Sequence, residues 1–214
     1  PPYGTTACKW DSVIPFEPMW EQLNRILQPN GAICLFGSEP FSSALRMSNI
    51  KHFKYDWIWE KTKASGHLNA KIMPLKAHET ISVFSKEKCV YYPQGLKPIS
   101  KIQKKKDTKT TTGNGYSSYG KNNKTTTQSI GGYPRSDLKF SKPSKTLHPT
   151  QKPVALLEYL IRTYTRDGET VLDFTMGSGS TGIACINTNR HFIGIELDEI
   201  YFNVAKERIG NHHV

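Results

Sequence analysis

The sequence predicts an α/β protein in which helices cover both faces of a largely parallel sheet. Short runs rich in β-branched and aromatic residues alternate along the chain with helical stripes of apolar residues. The clearest unit is a strand at residues 170–175, a glycine turn at 177–182 and a helix that continues from Ile183. Ligands of such sheets bind at the carboxyl ends of the strands, so we expect the functional site at that edge.

The first helix and strand follow from the pattern of residues 16–36. Apolar side chains recur there at intervals of three and four, which indicates one face of a helix packed on the sheet. This face consists of Phe16, Met19, Trp20, Leu23, Ile26 and Leu27. The spacing makes Trp20 a core residue. The helix is expected to end at residues 28–31, and a strand over 32–36 follows directly.

Strands are also predicted at residues 55–60 and 78–84, and because no convincing helix separates them we expect a local antiparallel pair. A helical stripe returns at residues 154–164. Its apolar positions are Val154, Leu156, Leu157, Leu160, Ile161 and Tyr164. A strand over 191–197 comes later, and a last helical stripe follows it. That stripe consists of Leu197, Ile200, Tyr201, Val204, Ala205 and Ile209.

The glycine turn has the pattern of a cofactor site. Gly177, Gly179 and Gly182 let backbone N–H groups and the positive end of a helix meet the polar part of a ligand. Glu196 lies nineteen residues after Gly177, the separation at which an acidic residue can bind a ribose diol. The spacing alone leaves a dinucleotide and another adenosine-containing cofactor equally supported. Only thirty-two residues follow Gly182, too few for a second nucleotide half, which favours a single adenosine.

Residues 1–3 read Pro-Pro-Tyr, which suits chemistry on a base amine. The exocyclic amine of adenine or cytosine is a poor nucleophile because its lone pair is delocalised into the ring. A carbonyl held rigidly by consecutive prolines can accept a hydrogen bond from that amine, and a following aromatic ring can stack on a base turned out of the helix. An isolated Pro-Pro-Tyr is more often a proline-rich turn or a peptide ligand, so this interpretation depends on the rest of the chain.

The two segments together resemble motifs IV and I of the S-adenosylmethionine-dependent DNA amino-methyltransferases, which form N6-methyladenine or N4-methylcytosine. Residues 1–3 resemble motif IV and residues 173–182 resemble motif I, and this order is similar to the β group of the family. Further segments that resemble the family are residues 31–38, 55–61, 78–84 and, as motif X, 148–153. One departure is Asp-Phe-Thr at 173–175, where the family usually has Asp-Pro-Phe.

The resemblance implies a Rossmann-like class I methyltransferase sheet with permuted motif order, and S-adenosylmethionine as the cofactor. It implies that Pro1 offers its carbonyl to the base amine, that Pro2 keeps this segment rigid and that Tyr3 stacks on the flipped base. The cofactor-binding residues that it implies are Thr150, Gln151, Lys152, Asp173, Phe174, Gly177, Ser178, Gly179, Ser180 and Glu196.

The family motif reads Asp-Pro-Pro-Tyr, sometimes with Asn or Ser first, and this chain begins one residue later. We therefore expect a fragment that lacks at least one central strand and does not transfer methyl groups on its own; turnover by these 214 residues would contradict this. Adenine is expected as the acceptor because Asp-Pro-Pro-Tyr is the commoner form with this motif order. An N4-cytosine enzyme, a methyltransferase of RNA or protein amides, and a non-catalytic DNA-binding module are the alternatives.

Residues 87–147 form a basic insert between the catalytic segment, 1–86, and the cofactor segment, 148–214. The insert holds thirteen Lys or Arg and three acids, so it carries +10 of the net charge of +11. Basic and aromatic side chains in this mixture are typical of a target-recognition region that contacts double-stranded DNA. The expected contacts are Lys104, Lys105, Lys106, Tyr116 and Tyr119. A solvated, partly disordered loop is the alternative.

The composition limits the remaining classes. No run of eighteen apolar residues and no signal peptide is visible, and the four cysteines show neither Cys-x-x-Cys nor zinc-ligand spacing. We expect a soluble, reduced, cytoplasmic protein with no metal and no membrane partner. The resemblance leaves a homodimer and a cognate restriction endonuclease open as further partners.

Overall fold

A computed structural model describes residues 1–5, 11–105 and 126–212, with the backbone alone for strand residues 100–105 and 126–128. It divides into two units, Pro1–Tyr92 with Arg135–Val214, and Pro93–Pro134. Three of the expected DNA contacts, Lys106, Tyr116 and Tyr119, lie outside the described residues, and Lys104 and Lys105 are described by their backbone only.

The elements in chain order are α1 (Phe16–Ile26), β1 (Ile33–Gly37), α2 (Phe41–Ser48), β2 (Phe53–Ser65), a 3₁₀ turn (His67–Asn69), β3 (Lys76–Phe84), β4 (Lys97–Lys105), β5 (Thr126–Gly131), β6 (Asp137–Phe140), α3 (Val154–Tyr164), β7 (Thr170–Asp173), α4 (Ser180–Asn187), β8 (His191–Gly194) and α5 (Glu199–Gly210). The predicted helices and strands of the first unit are thus present. Helix α2 and strand β6 were not predicted.

Four strands of the first unit form one sheet in the order β1-β3-β2-β6. Strand β3 is antiparallel to both β1 and β2, and β6 is parallel to β2, so the expected antiparallel pair of β2 and β3 is confirmed. Strands β1, β2 and β6 therefore point the same way. In the register of β1 with β3, Gly37 at the carboxyl end of β1 lies opposite Thr80.

Helices cover both faces of this sheet, as predicted. On one face the helices α1 and α2 pack against β1 and the end of β3 through a buried apolar cluster. Its residues are Met19, Trp20, Leu23, Ile33, Leu35, Phe41, Leu45 and Phe84. On the other face Leu156, Leu160 and Tyr164 of α3 pack against side chains of β2 and β3 such as Trp59 and Ile81. Trp20 is a core residue, as its spacing predicts.

Helix α3 joins this sheet to the cofactor half of the unit. Its second apolar face, Leu157 and Ile161, packs against Ala184 and Cys185 of α4. Strands β7 and β8 form a separate parallel pair in which Asp173 lies opposite Gly194. One helix with two apolar faces therefore takes part in the buried clusters of both halves of this unit.

The strand predicted at residues 191–197 ends earlier, at Gly194, and α5 begins only at Glu199. The reason is local: the Glu196 carboxylate accepts hydrogen bonds from the backbone N–H groups of Leu197 and Asp198, and this turns the chain. The Asp198 side chain then caps α5 by accepting from Ile200 N and Tyr201 N. Of the predicted stripe, Ala205 is buried, whereas Leu197 and Ile200 are exposed.

The second unit contains the antiparallel pair of β4 and β5, which runs from Lys97 opposite Gly131 to Lys105 opposite Thr126. The stretch between β4 and β5, which lies inside the predicted insert, is therefore bounded by a pair of strands. The insert was predicted over 87–147, and its flanks, including β6, belong to the first unit. Within the described ranges no helix is both long and apolar enough to cross a membrane, and no cluster of three metal-ligating side chains is present.

Candidate active site

The glycine turn follows β7 as the sequence predicts. Gly177 and Gly179 have left-handed backbone angles, with φ of 51° and 75°. A Cβ at Gly179 would lie 3.1 Å from the Cβ of Ala205, so glycine also lets α5 approach the start of α4. The turn is joined to the residue after β8 by the hydrogen bond from Met176 N to Ile195 O, 3.0 Å long. The turn is therefore held on both sides by packed elements.

Two carboxylates lie at the carboxyl ends of β7 and β8. Asp173 accepts hydrogen bonds from Thr175 N at 3.1 Å and from the Thr181 hydroxyl at 2.6 Å. Glu196 accepts from Gly177 N at 2.8 Å in addition to the two N–H groups that follow it in the chain. A carboxylate has about four acceptor positions, so Glu196 is fixed by three bonds and keeps one for a ligand hydroxyl.

These groups fit an adenosine-containing cation. Glu196 offers a free acceptor position for a ribose diol, and Asp173 places a second fixed negative charge on the neighbouring strand end. The ring of His148 lies beside Gly177, because a Cβ built at this glycine would be 3.5 Å from the ring. Leu197, directly after Glu196, is 98% exposed and offers an apolar surface at the same place.

The segment of residues 148–153 lies against this turn. The His148 ring is buried, stands edge-on to the Tyr201 ring at a centroid distance of 4.2 Å, and accepts a hydrogen bond at Nδ1 from Thr150 N at 3.2 Å. Burial lowers the pKa of His148, which favours the neutral imidazole that this bond requires. Gln151 accepts a hydrogen bond from the Ser178 hydroxyl at 3.2 Å, so the segment is bonded to the turn.

The next residue of this segment, Lys152, belongs to a buried charge network instead. Its ammonium lies 3.1 Å from Oε2 of Glu79, and the ammonium of Lys61 lies 2.7 Å from Oε1. The Tyr3 hydroxyl donates to Oε2 of Glu79 at 3.1 Å. The Lys152 ammonium also lies over the ring of Tyr3, 5.5 Å from its centroid. Glu79 is the common partner of the three other groups.

The pKa shifts in this network follow from one carboxylate shared by two ammonium groups. Burial alone would raise the pKa of Glu79, but Lys152 and Lys61 outweigh burial and lower it to about 2. Burial lowers the pKa of Lys152. The charge of Glu79 raises this pKa, and the charge of Lys61 lowers it further. Burial and the charge of Glu79 raise the pKa of Tyr3 well above its usual 10, so the phenol stays a donor.

The backbone of the Pro-Pro-Tyr segment is fixed by Asp11. This buried carboxylate accepts three hydrogen bonds, from Tyr3 N at 2.8 Å, Gly4 N at 2.9 Å and Thr5 N at 2.9 Å. The Tyr3 ring is stacked on Phe41 of α2 with a centroid distance of 5.3 Å and an angle of 24°. The main chain of this segment is therefore positioned by a nearby residue, Asp11, and its ring by a residue much further along the sequence, Phe41.

The catalytic and cofactor halves meet at this point. Phe174, directly after Asp173, packs against the same apolar cluster as Tyr3. The segments that resemble motifs IV, I and X thus lie together, although 169 residues lie between the first two.

The predicted cofactor residues fall into two groups. Around the glycine turn lie Gln151, Asp173, Gly177, Ser178, Gly179 and Glu196. The other four have different contacts: Lys152 faces Tyr3 and Glu79, Thr150 orients His148, Phe174 packs against the apolar cluster of α1 and α2, and the Ser180 hydroxyl accepts a hydrogen bond from Arg208 at 3.1 Å.

Sequence reasoning missed Glu79 and Lys61. For Asp11 it offered a place at the entrance for the base or in a solvated loop, whereas the structure has this carboxylate buried against the backbone of residues 3–5. A signal existed for the first two. Glu79 lies inside the strand predicted at 78–84, and Lys61 directly follows the strand predicted at 55–60. These segments consist largely of apolar and aromatic residues, among which an unpaired charge would be costly to bury. No comparable local pattern distinguishes Asp11.

Comparison with known proteins agrees with this geometry. The family model for DNA methylase, N6_N4_Mtase, matches residues 1–207. The Type II methyltransferase M2.LlaDCHI of Lactococcus lactis subsp. cremoris is 27% identical over 217 residues, covering 94% of this chain and 70% of that protein. The Type II methyltransferase M.HpaI of Haemophilus parainfluenzae is 28% identical over 214 residues, and the chain spans only 63% of its length.

Solved structures give the same result. The complex of M1.HpyAVI with SAM is similar with a TM-score of 0.62 and 28% identity, covering 97% of this chain and 85% of that one. The cytosine-N4-specific PvuII DNA methyltransferase has a TM-score of 0.61 at 18% identity, covering 88% and 67%, which shows the shared fold. The chain therefore belongs to the DNA methylase family of N6 and N4 amino-methyltransferases, with the β-group order of motifs and S-adenosylmethionine as cofactor.

Proposed function

We propose that the complete protein methylates the N6 amine of adenine at a specific sequence in double-stranded DNA, after the base has turned out of the duplex. One observation carries the proposal: residues 148–153 are bonded to the glycine turn through Gln151 and to the catalytic segment through Lys152 and Glu79. The cofactor and the base would thus lie on the two sides of one short segment.

On the cofactor side, S-adenosylmethionine supplies the methyl group. Glu196 has a free acceptor position for the ribose hydroxyls, and the exposed Leu197 gives an apolar surface for the adenine ring. Asp173 is fixed by Thr181 and contributes negative charge near the cationic part of the cofactor. Phe174 and the residues of the glycine turn shape the site, and Thr150 and Gln151 line it from the opposite side.

On the base side, the acceptor nitrogen needs a hydrogen-bond acceptor in a fixed position, because binding its N–H groups favours the pyramidal geometry of the attacking amine. The Pro1 carbonyl supplies it, and Pro2 and the three hydrogen bonds to Asp11 limit how far this backbone can move. Tyr3 provides the aromatic surface for the base. Its hydroxyl is tied to Glu79 and its ring is supported by Phe41, so the surface is in place before the base arrives.

We propose adenine rather than cytosine because the chain resembles enzymes that carry Asp-Pro-Pro-Tyr with this motif order. The test is to incubate the complete protein with labelled S-adenosylmethionine and duplex DNA, and to separate the nucleosides after digestion. Label in N6-methyldeoxyadenosine is the expected result. Label in N4-methyldeoxycytidine would overturn the choice of base and leave amino-methyl transfer to DNA standing.

Matched RNA and peptide substrates test the acceptor class. Transfer to either of them but not to DNA would overturn the proposal, as would cofactor binding without any transfer. Asp173→Ala and Tyr3→Ala are the informative variants, because the first should weaken cofactor binding while the second should leave it intact and lower transfer.

A further inference from the structure

The β2–β3 hairpin extends beyond the edge of the sheet at which the active site lies. Strand β1 ends at Gly37, opposite Thr80, whereas β2 and β3 continue past that level to the pair Ser65 and Lys76. Glu79, which binds the Tyr3 hydroxyl, is the first residue of β3 past that level. The hairpin therefore projects outward from the level of the catalytic segment.

The end of this projection, residues 65–76, is here named the hairpin tip. Every residue from 66 to 78 is exposed. Four of the exposed side chains are large and apolar. They are Leu68, Ile72, Met73 and Leu75. Leu68 is fully exposed and Ile72 is 79% exposed. Apolar side chains grouped in this way on a projecting turn indicate a contact surface rather than scattered exposure.

The hairpin tip is an ordered turn. Asn69 N donates to Gly66 O at 2.9 Å, Ala70 N to His67 O at 3.2 Å, and Met73 N to Asn69 O at 3.0 Å. These bonds hold the apolar side chains outward on a formed backbone. A partner that covers them gains apolar burial without first having to order the loop.

The charge around these side chains identifies the partner. Residues 61–78 contain four lysines and no acid. Lys61 is buried with Glu79, while Lys63, Lys71 and Lys76 are exposed. An acid-free lysine cluster around apolar side chains complements the phosphate backbone and base stack of a duplex. It would repel another copy of the same basic surface, which disfavours self-association through the tip.

The dimensions agree with such a contact. Three residues of extended strand separate Glu79 from Lys76, which is about 10 Å at the usual rise per residue. A two-stranded ribbon fits the major groove of DNA, which is about 12 Å wide and 8.5 Å deep. A base that reaches Tyr3 from the duplex therefore brings the DNA against the hairpin tip.

We infer that the hairpin tip is a DNA-contacting surface of the catalytic unit: Leu68 and Ile72 fill the space that the target base leaves in the stack, and Lys71 and Lys76 bind the flanking phosphates. This inference rests on the proposed function for the turned-out base. It is separate from the basic insert, because all of these residues lie in β2, β3 and the turn between them.

The phosphate contacts are tested with the double variant Lys71→Gln/Lys76→Gln in the complete protein. Its control is Lys51→Gln/Lys54→Gln, two exposed lysines at the start of the same hairpin, on the opposite edge of the sheet. We expect the slope of log Kd against log salt for a duplex to fall by about 2 in the tip variant and to stay unchanged in the control. Equal slopes in the two variants would overturn the inference.

The apolar contact is tested with Leu68→Ala/Ile72→Ala, and the control is Met47→Ala/Ile50→Ala, two exposed apolar residues at the end of α2. The substrate is a duplex that carries the site methylated by the wild-type protein. We expect kcat/KM for this duplex to fall at least tenfold in the tip variant, with the Kd for S-adenosylmethionine within twofold of wild type. Unchanged transfer, or an equal loss in the control, would contradict the inference.

Two further outcomes separate the possible failures. If the tip variant changes only the sedimentation of the protein, the surface serves self-association and the inference is wrong. If the wild-type protein transfers no methyl group to DNA, the proposed function fails, and the salt slopes still decide whether the hairpin tip contacts DNA.

Discussion

At the scale of single residues, the active site depends on carboxylates that serve as fixed acceptors. Glu79 joins two lysines and a phenol, Asp11 joins three consecutive backbone N–H groups, and Glu196 joins three more. Each of these charges is compensated where it is buried, as a low-dielectric environment requires. Burying these charges is costly, but it also fixes their positions, because a carboxylate with several partners cannot shift without breaking its hydrogen bonds and ion pairs.

The Glu79→Gln variant tests the charge network through the pH dependence of stability. Because the pKa of Glu79 falls from its usual 4.5 to about 2 in the folded protein, the unfolded chain binds more protons between these values. The charge then contributes up to about 3 kcal/mol to the free energy of unfolding above pH 4.5, and this is lost as the pH falls toward 2. The stability difference between wild type and Glu79→Gln should therefore shrink across this window.

Urea unfolding at pH 7 and at pH 3 measures this difference. Glu60→Gln is the matched control, because Glu60 lies in β2 but forms an exposed pair with Lys139 at 3.1 Å. That surface pair should contribute less than about 1 kcal/mol at either pH. A Glu79→Gln difference that is the same at both pH values would show that the network does not act as described.

At the scale of elements, the cofactor half depends on how closely α4 and α5 approach. Gly179 sits between them, with its φ of 75° and a Cβ position within 3.1 Å of the Ala205 Cβ. Gly168 has almost the same φ, 78°, but a Cβ there would meet no atom within 4 Å. The two glycines share one conformational requirement and differ in packing.

Alanine at each glycine separates these effects. Gly168→Ala should cost about 1–2 kcal/mol for the left-handed backbone alone. Gly179→Ala should cost a further 1–3 kcal/mol or so because α5 must move, and it should weaken S-adenosylmethionine binding. Chemical unfolding and calorimetric titration measure the two quantities. Equal destabilisation by both substitutions would mean that the close approach of α5 does not matter.

Much of the element order could be predicted, because amphipathic helices and buried strands have local periodicity. The helix α2 escaped prediction because its eight residues span barely two turns, with only Phe41 and Leu45 as large buried apolar positions. Strand β6 escaped because its sequence, Asp-Leu-Lys-Phe, lies in a charged stretch, and its pairing with β2 is decided by a partner almost eighty residues away.

The residues of the candidate site also differ in whether their surroundings follow from the local sequence. The relative placement of the glycine turn, Asp173 and Glu196 could be predicted because their spacing within one βαβ unit fixes their geometry, while their role in binding a cofactor stays a prediction. Glu79 could not be assigned because its partner Tyr3 lies 76 residues away in the chain. The partners of Asp11 lie only six to eight residues away, but no local pattern distinguishes this carboxylate. Sequence spacing also could not show that Lys152 faces Tyr3 while its neighbour Gln151 faces the glycine turn.

At the scale of the whole molecule, charge is distributed unevenly between the parts of the chain. The net charge is +11, and the basic insert at 87–147 carries +10 of it. Long-range attraction to a polyanion is therefore concentrated in one stretch, outside the segments to which we assign the chemistry. We expect the insert to supply most of the DNA affinity of the complete protein, and the hairpin tip to add phosphate contacts nearer the catalytic segment.

Replacing Lys104, Lys105 and Lys106 together by Gln should weaken DNA binding and lower the slope of log Kd against log salt by up to about 3. The matched control replaces Lys51, Lys54 and Lys206, three exposed lysines of the first unit. Fluorescence anisotropy of a labelled duplex at several salt concentrations measures both. An unchanged slope in the first variant would contradict a phosphate-binding role for the insert.

The six residues 148–153 have a consequence for how the binding of the cofactor and the binding of the base affect each other. Because Gln151 and Lys152 are adjacent in the chain, a shift of the segment on one side is transmitted to the other through a single peptide unit. Thermodynamic linkage makes such an effect reciprocal. If bound cofactor changes the affinity for the base by some factor, bound base changes the affinity for the cofactor by the same factor. We therefore expect any cooperativity between cofactor and base to depend on this connection, the shortest in the site.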